Sequence, residues 1–372
     1  MSNSPSHRPR LRDLGVTIGT LATGPHNAIT DVAGVRVGHA TVIHENGPAR
    51  TGVTAIHPHE GSVFSSMVPA AIDVLNGAGE ITGRAQVDES GLLETPILIT
   101  NTLSVGTVHR ACVEWLRQRE SSIGDTQFVL PVVAETYDGG LNDIRGQHVL
   151  PEHVFEALDS AASGAVAEGN VGGGTGMRLF EYKGGIGTAS RVATVGGRNC
   201  TVGVLIQGNF GRRADLLVDG VPVGRDLPVA TAAGADKDGS VIVVIATDAP
   251  LSSRQLGRLC RRGMLGLART GAVARNTSGD LLVALSNAPE NRVDRFGTDP
   301  WCTSVSLRDT HIDDLFVATI EAVEESVLNA LVAAETMTGR GGLVVEALPH
   351  DELVRIMRRY GRLSSETEGA HA

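Results

Sequence analysis

Short apolar runs separated by glycine-rich turns set the rhythm of the chain. Pro96–Thr100, Phe128–Ala134, Thr201–Gln207, Ser240–Thr247 and Asp280–Ser286 are rich in Val, Ile and Leu and mostly lack polar alternation. Such runs predict strands covered on both faces. Other segments repeat their apolar residues at helical spacing. Ser252, with Gln255 three positions on, has the pattern of a capping box. The helix it opens should run to about Thr270, with Leu256, Leu259, Cys260, Met264 and Leu267 on one face. The longest predicted helix spans about Ile312 to Met337, where Phe316, Ile320, Val323, Val327, Leu331 and Ala334 recur ahead of Gly339, Gly341 and Gly342. Further helices are expected around Val105–Arg119, Glu152–Ala167 and Glu352–Tyr360. Strands and helices mixed along the whole length imply an α/β or layered α+β fold.

At roughly 150 residues per domain, 372 residues would make two domains. No low-complexity linker and no internal repeat divides the sequence, so a single domain over 1–372 is expected, with frayed polar tails at 1–9 and 364–372. The 32 basic and 42 acidic residues leave a net charge of −10, which argues against a nucleic-acid or anionic-membrane partner. Aromatic residues make up only 3%, too few for a base-stacking surface. No run of about 18 apolar residues is present, so no transmembrane helix is expected. The charged start MSNSPSHRPRLRDLG has no apolar run behind it and does not read as a secretory signal; the expectation is a cytoplasmic protein. Cys112, Cys200, Cys260 and Cys302 form no CxxC pair and are read as buried, reduced thiols.

Phosphate-loop, zinc-helix and GxSxG signatures are missing; Thr102-Leu103-Ser104-Val105-Gly106 lacks the first glycine of the elbow. His57-Pro58-His59 has no third clustered ligand, so no metal is expected. Gly172-Gly173-Gly174-Thr175-Gly176 reads as a close backbone approach or a tight turn. The most suggestive chemistry lies at Asp238-Gly239-Ser240, directly ahead of Val-Ile-Val-Val-Ile. A serine hydroxyl opening a buried strand could attack the carbonyl of Gly239, shift the peptide to an ester and emerge as a new N-terminus. Its freed α-amine, with an ordinary pKa of about 8, could then assist as general base. A plain turn would look the same. In Asn276-Thr277-Ser278-Gly279-Asp280, Ser278 could relay a proton that Asp280 orients, or the stretch could be an ordinary polar turn. Glu135-Thr136-Tyr137-Asp138-Gly139 could put a carboxylate and a phenol at a cleft, or form a solvated loop. Asn209, in Gln207-Gly208-Asn209-Phe210-Gly211, could donate to an oxyanion or simply turn the chain.

Six motifs in order give these stretches a context. Ile29-Thr30-Asp31-Val32-Ala33-Gly34-Val35-Arg36-Val37-Gly38-His39, Leu75-Asn76-Gly77-Ala78-Gly79-Glu80, Glu135-Thr136-Tyr137-Asp138, Glu168-Gly169-Asn170-Val171-Gly172-Gly173-Gly174-Thr175-Gly176-Met177, Gly239-Ser240 and Ala246-Thr247-Asp248-Ala249-Pro250 follow one another. From about Arg10 to about Tyr360 the chain resembles the L-aminopeptidase/D-esterase family, which includes the DmpA-type enzymes and the β-peptidyl aminopeptidases.

The resemblance implies a four-layer αββα sandwich of the DmpA/ornithine acetyltransferase type, similar to N-terminal nucleophile hydrolases but differently connected. It implies an inactive precursor that cuts itself between Gly239 and Ser240 into an α-chain, 1–239, and a β-chain, 240–372. Ser240 would be the nucleophile, Ser278 and Asp280 its relay, Asn209 the oxyanion donor, Tyr137 a wall of the pocket and Glu135 the anchor of the substrate's free amine. No metal or organic cofactor is implied. Substrates would be short peptides, amides or esters with a free amine: L-amino acid or β-amino acid amides and D-amino acid esters. A tetramer of αβ units would be usual. Asn276-Thr277 stands where close relatives are expected to carry smaller, glycine-richer residues. Hydrolysis of ω-amino oligomers or other amides, and an unprocessed binding protein, are the alternatives.

Overall fold

The computed structural model describes residues 9–45, 47–229 and 239–363. The expected tails, apart from Pro9, lie outside these residues. The strands are β1 (Arg36–Ile43), β2 (Arg50–His57), β3 (Ser66–Gly77), β4 (Leu92–Leu93), β5 (Ile97–Asn101), β6 (Val132–Thr136), β7 (Arg178–Leu179), β8 (Tyr182–Lys183), β9 (Ile186–Val195), β10 (Arg198–Asn209), β11 (Ser240–Thr247), β12 (Gly279–Ser286), β13 (Val293–Asp294), β14 (Met337–Thr338) and β15 (Val344–Val345). The helices are α1 (Arg84–Ser90), α2 (Val105–Arg117), α3 (Pro151–Asp159), α4 (Ser253–Arg269), α5 (Asp313–Val332) and α6 (His350–Arg359).

Two sheets form the centre. One has the order β1-β2-β5-β6; the other runs β13-β3-β12-β11-β10-β9, with β4 paired to β3. Their facing sides share one apolar core, with Ile56, Ile97 and Ala134 from the first sheet and Leu205, Ile242, Val244 and Leu281 from the second. Helices α2 and α3 cover the outer face of the first sheet through Val108, Cys112, Val154 and Leu158. Helices α4 and α5 cover the second through Leu256, Leu259, Leu267, Val323 and Val327. The result is the αββα sandwich, and β11 is buried throughout, with an apolar run from Val241 to Ala246, because it is covered on both faces.

The Ser252 capping box forms as expected, its hydroxyl accepting from the N–H of Gln255. Strand β11 has the predicted bounds. The helix expected over Glu152–Ala167 stops at Asp159, because Ala162 pairs with Val37 of β1 and Gly164 takes a φ of +94°. The helix expected to Met337 ends at Val332, and Met337 enters β14 instead. The Phe128–Ala134 strand begins only at Val132; Phe128 is exposed and Pro131 lacks a backbone donor. Cys302 is exposed, unlike the other three cysteines. Strand β9 carries buried Thr188, Ser190 and Arg191 and so shows no clean apolar signature. Arg191, fully buried, pairs with Glu321 at 3.0 Å and Glu325 at 2.6 Å, pinning α5 to the sheet.

Candidate active site

Four strand ends meet at one edge of the sandwich. Ser240 is the first residue of β11, and across the sheet it faces Asn209, the last residue of antiparallel β10. On its other side it faces Gly279, the first residue of parallel β12. From the opposite sheet, the chain leaving β6 brings the backbone N–H of Tyr137 to within 3.2 Å of Ser240 Oγ, which accepts from it. Tyr137 therefore reaches the serine through its backbone; its phenol is partly exposed and lies over Gly139.

The peptide between Gly239 and Ser240 is held from the β12 side. Its carbonyl, on Gly239, accepts from the N–H of Gly279 at 3.1 Å. A Cβ placed on Gly239 would lie 3.3 Å from Ser278 Oγ, so that hydroxyl borders the same peptide. Ser278 donates to Asp280 Oδ1 at 2.7 Å. Asp280 is buried, its other oxygen has no hydrogen-bond partner, and burial raises its proton affinity against the Ser278 bond. A carboxyl in that state can take up a proton passed along the serine.

Asn209 is buried and oriented. Its Oδ1 accepts from the N–H of Arg178 at 2.8 Å, which fixes the amide and leaves its Nδ2 as the donor end. Because Asn209 and Ser240 are direct cross-strand partners, their side chains share the face between the sheets. Gly279 has to be glycine here: a Cβ would lie 2.8 Å from the Ala78 carbonyl oxygen and from Gly79 Cα.

Glu135 sits one step further along the same edge. It is buried; Oε1 accepts from the N–H of Glu80 at 3.0 Å, and Oε2 accepts from the hydroxyl of Thr102. No arginine or lysine among the described residues forms an ion pair with it. Burial pushes its carboxyl above the usual range, and the two hydrogen bonds pull the other way. Gly79, which touches Gly279, would carry a Cβ only 3.2 Å from Glu135 Oε1, so a thin glycine layer separates the carboxylate from the start of β12, the strand beside Ser240. Behind Tyr137, buried Asp138 accepts from Asn142 Nδ2 at 3.0 Å. Burial raises its carboxyl to about 7.

A cavity of about 660 Å³ opens on the helix side of this edge, bordered by Gly239, Ser278 and Asn209 and walled by Leu75, Met264 and Val273. That size suits a small organic ligand. Ser240, Ser278, Asp280, Asn209, Tyr137 and Glu135 are thus gathered at one edge. Sequence reasoning missed the Gly279 N–H, the Arg178 N–H and Thr102, whose positions depend on strand register rather than on residue type. The histidines of the His57-Pro58-His59 stretch bind the backbone: His57 Nε2 lies 3.1 Å from the Leu158 carbonyl, and His59 Nε2 lies 2.8 Å from that of Ser66. Among the described residues no group of three His, Cys, Asp or Glu is placed to hold a metal ion. No helix among them is long and apolar enough to cross a membrane.

Known proteins resemble this chain in fold and sequence over nearly all of its length. The structure of an L-aminopeptidase D-Ala-esterase/amidase from Ochrobactrum anthropi, described as a prototype of the serine aminopeptidases and a variant of the Ntn hydrolase fold, superposes with a TM-score of 0.91 at 44% identity, covering 96% of this chain and 100% of that one. A β-aminopeptidase from Burkholderia sp. gives 0.88 at 47%, over 95% and 99%. The β-peptidyl aminopeptidase BapA of Sphingosinicella microcystinivorans is 46% identical over 96% of this chain and 94% of its own. The sequence profile of Peptidase family S58 matches residues 27–345. With that profile over most of its length and such relatives over nearly all of it, the chain belongs to Peptidase family S58 and is a peptidase.

Proposed function

We propose that this peptidase is a self-processing serine aminopeptidase, which cuts itself between Gly239 and Ser240 and then releases N-terminal residues through an acyl-enzyme on Ser240. One observation carries the reading: the contacts on the peptide that joins Gly239 to Ser240. Its carbonyl is polarised by the Gly279 N–H, and the Ser278–Asp280 pair lies alongside. In the processing step Ser240 Oγ attacks the Gly239 carbonyl carbon. The hydroxyl proton passes through Ser278 and Asp280 to the departing Ser240 nitrogen; the C–N bond breaks and an ester forms. Water then hydrolyses the ester, leaving a carboxylate on Gly239 and restoring the Ser240 hydroxyl beside a free α-amine.

Turnover repeats the attack on a substrate carbonyl. Glu135, satisfied among the described residues by neutral donors, is arranged as a buried carboxylate for a cation, and a substrate ammonium supplies it through a charge-assisted hydrogen bond. The Asn209 amide, turned by Arg178, meets the oxyanion. The Ser240 amine takes the hydroxyl proton and returns it to the leaving amine, and water releases the acyl group. The relatives' activities support β-amino acid or L-amino acid amides and D-alanyl esters as substrates. Assembly of αβ units into a homo-oligomer and a cytoplasmic location belong to the same reading; light scattering and cell fractionation test them.

Intact mass under denaturing conditions tests the core of the proposal. The wild-type chain should give two pieces, the smaller beginning at Ser240, and Ser240→Ala should stay whole and inactive. A cleaved Ser240→Ala protein would overturn the mechanism. A panel with free and acetylated amines tests Glu135: equal turnover of both would remove its role.

A further inference from the structure

We infer that Thr102 is a positioning residue for the substrate amine, its hydroxyl holding the Glu135 carboxylate in the form and direction that accept an ammonium. The inference rests on the amine-binding role proposed above for Glu135. Its basis is the parallel pairing of β5 with β6, which sets Thr100 beside Glu135 and Asn101 beside Thr136, so that both strands leave the sheet at the catalytic edge. Thr102 is the first residue past β5, and its hydroxyl donates to Glu135 Oε2.

The donor is held in place from behind. Asn101 is buried, and its Oδ1 accepts from the N–H groups of Leu103 and Ser104, each at 3.1 Å. Its Nδ2 donates to Thr51 Oγ1 at 2.7 Å. This clamp tightens the chain into a short 3-10 turn over Thr102–Ser104 and leaves the Thr102 hydroxyl at the turn's first position. The stretch Thr102-Leu103-Ser104-Val105-Gly106, set aside as an incomplete nucleophile elbow, thereby gains a role through its first residue.

The electrostatics explain why such a donor is needed. Among the described residues the charge bearing on Glu135 is acidic, that of Glu80 from the loop between β3 and α1, and it disfavours the ionised form; Asp138, from the loop after β6, holds its own proton up to about pH 7. Burial disfavours ionised Glu135 further, leaving the Thr102 hydroxyl and the Glu80 N–H to oppose both. A hydrogen bond to a charged group corresponds to about one to two pH units. Without it, Glu135 keeps its proton to higher pH and cannot accept an ammonium.

The experiment compares wild type, Thr102→Val and Thr102→Ser as processed enzymes, using a β-amino acid p-nitroanilide across pH. Inactivation by an amine-free sulfonyl fluoride reports Ser240 without Glu135. Thr102→Val should move the acid limb of kcat/KM upward by about one to two pH units, roughly tenfold in rate per unit on that limb. Thr102→Ser should follow wild type, and the sulfonyl fluoride profile should be the same in all three. A Thr102→Val limb that coincides with wild type, or a Thr102→Ser limb that moves with Thr102→Val, overturns the inference and leaves Glu135 untouched. If wild type hydrolyses the acetylated anilide as well as the free amine, the Glu135 reading fails first. Should Thr102→Val not fold, Thr102→Ala takes its place under the same criteria.

Discussion

Asn209 offers the sharpest test of how the site stabilises charge. The Arg178 N–H holds one end of its amide at 2.8 Å, so the other end has a fixed direction. Asn209→Ala deletes the donor, and the loss of one oxyanion donor costs about 2.7–4 kcal/mol, or about 10²–10³ in kcat. Asn209→Asp is the more informative variant. It keeps an oxygen for Arg178 and exchanges only the donor for a second acceptor, which is negative when ionised. At an effective dielectric of about 20, two like charges about 4 Å apart repel by about 4 kcal/mol. Asn209→Asp should therefore be worse than Asn209→Ala at alkaline pH, and the gap should close as the pH falls and the aspartate takes up a proton. The assay is kcat on an amine-bearing p-nitroanilide from pH 5 to 9, with KM followed in parallel and expected to move by less than about fivefold. An Asn209→Ala enzyme within tenfold of wild-type kcat, or an Asn209→Asp enzyme better than Asn209→Ala at pH 9, would refute the oxyanion role.

Other perturbations test the supporting parts. Gly279→Ala puts a Cβ 2.8 Å from the Ala78 carbonyl and Gly79 Cα; it should lose about 1–3 kcal/mol of stability by thermal denaturation and process more slowly by intact mass. Normal stability and normal processing would show that the approach is not tight. Asp138 keeps its proton in the folded chain up to about pH 7 but releases it near 3.8 when unfolded. The native state then binds more protons, so the stability linked to this group is fully present below pH 3.8 and declines as the pH rises through about 7. Asp138→Asn should lose that decline, and its stability relative to wild type should grow from pH 4 to pH 8 in urea titrations. A constant difference across that range would contradict the assignment.

How much of this was legible beforehand depended on what each residue's role needed. Strand β11 could be read because it is apolar on both faces, and α4 because its cap and its stripe are local. Strand β9 could not: Ser190 and Arg191 are buried, and Asp31, Glu321 and Glu325, which satisfy them, lie far away in sequence. The alanines after Asp159 read as helix, but a bridge to β1 won. Ser240, Asn209, Glu135, Ser278 and Asp280 were candidates from short motifs and the family resemblance, and the structure brings them to one edge. The Gly279 N–H and the Thr102 hydroxyl were not candidates, since a backbone donor has no letter of its own and Thr102 matters only through the register of β5 on β6.

The strand order has a consequence for how such a protein could ever be taken apart. In the larger sheet, β3, β10 and β9 precede Ser240 in the chain, whereas β11, β12 and β13 begin at it or follow it. The inner pair, β12 and β11, is zipped on one side to β3 and on the other to β10. A cut ahead of Ser240 would leave two polypeptides woven through one sheet, neither able to depart without exposing two rows of backbone groups. Such a molecule would still have to break the same ladders before its halves came apart. Once unfolded, its halves would have to meet by diffusion, so recovery from denaturant would depend on concentration in the cut form and not in the uncut one. Maturation would thus act as a ratchet, turning a chain that can fold alone into an assembly that is made once.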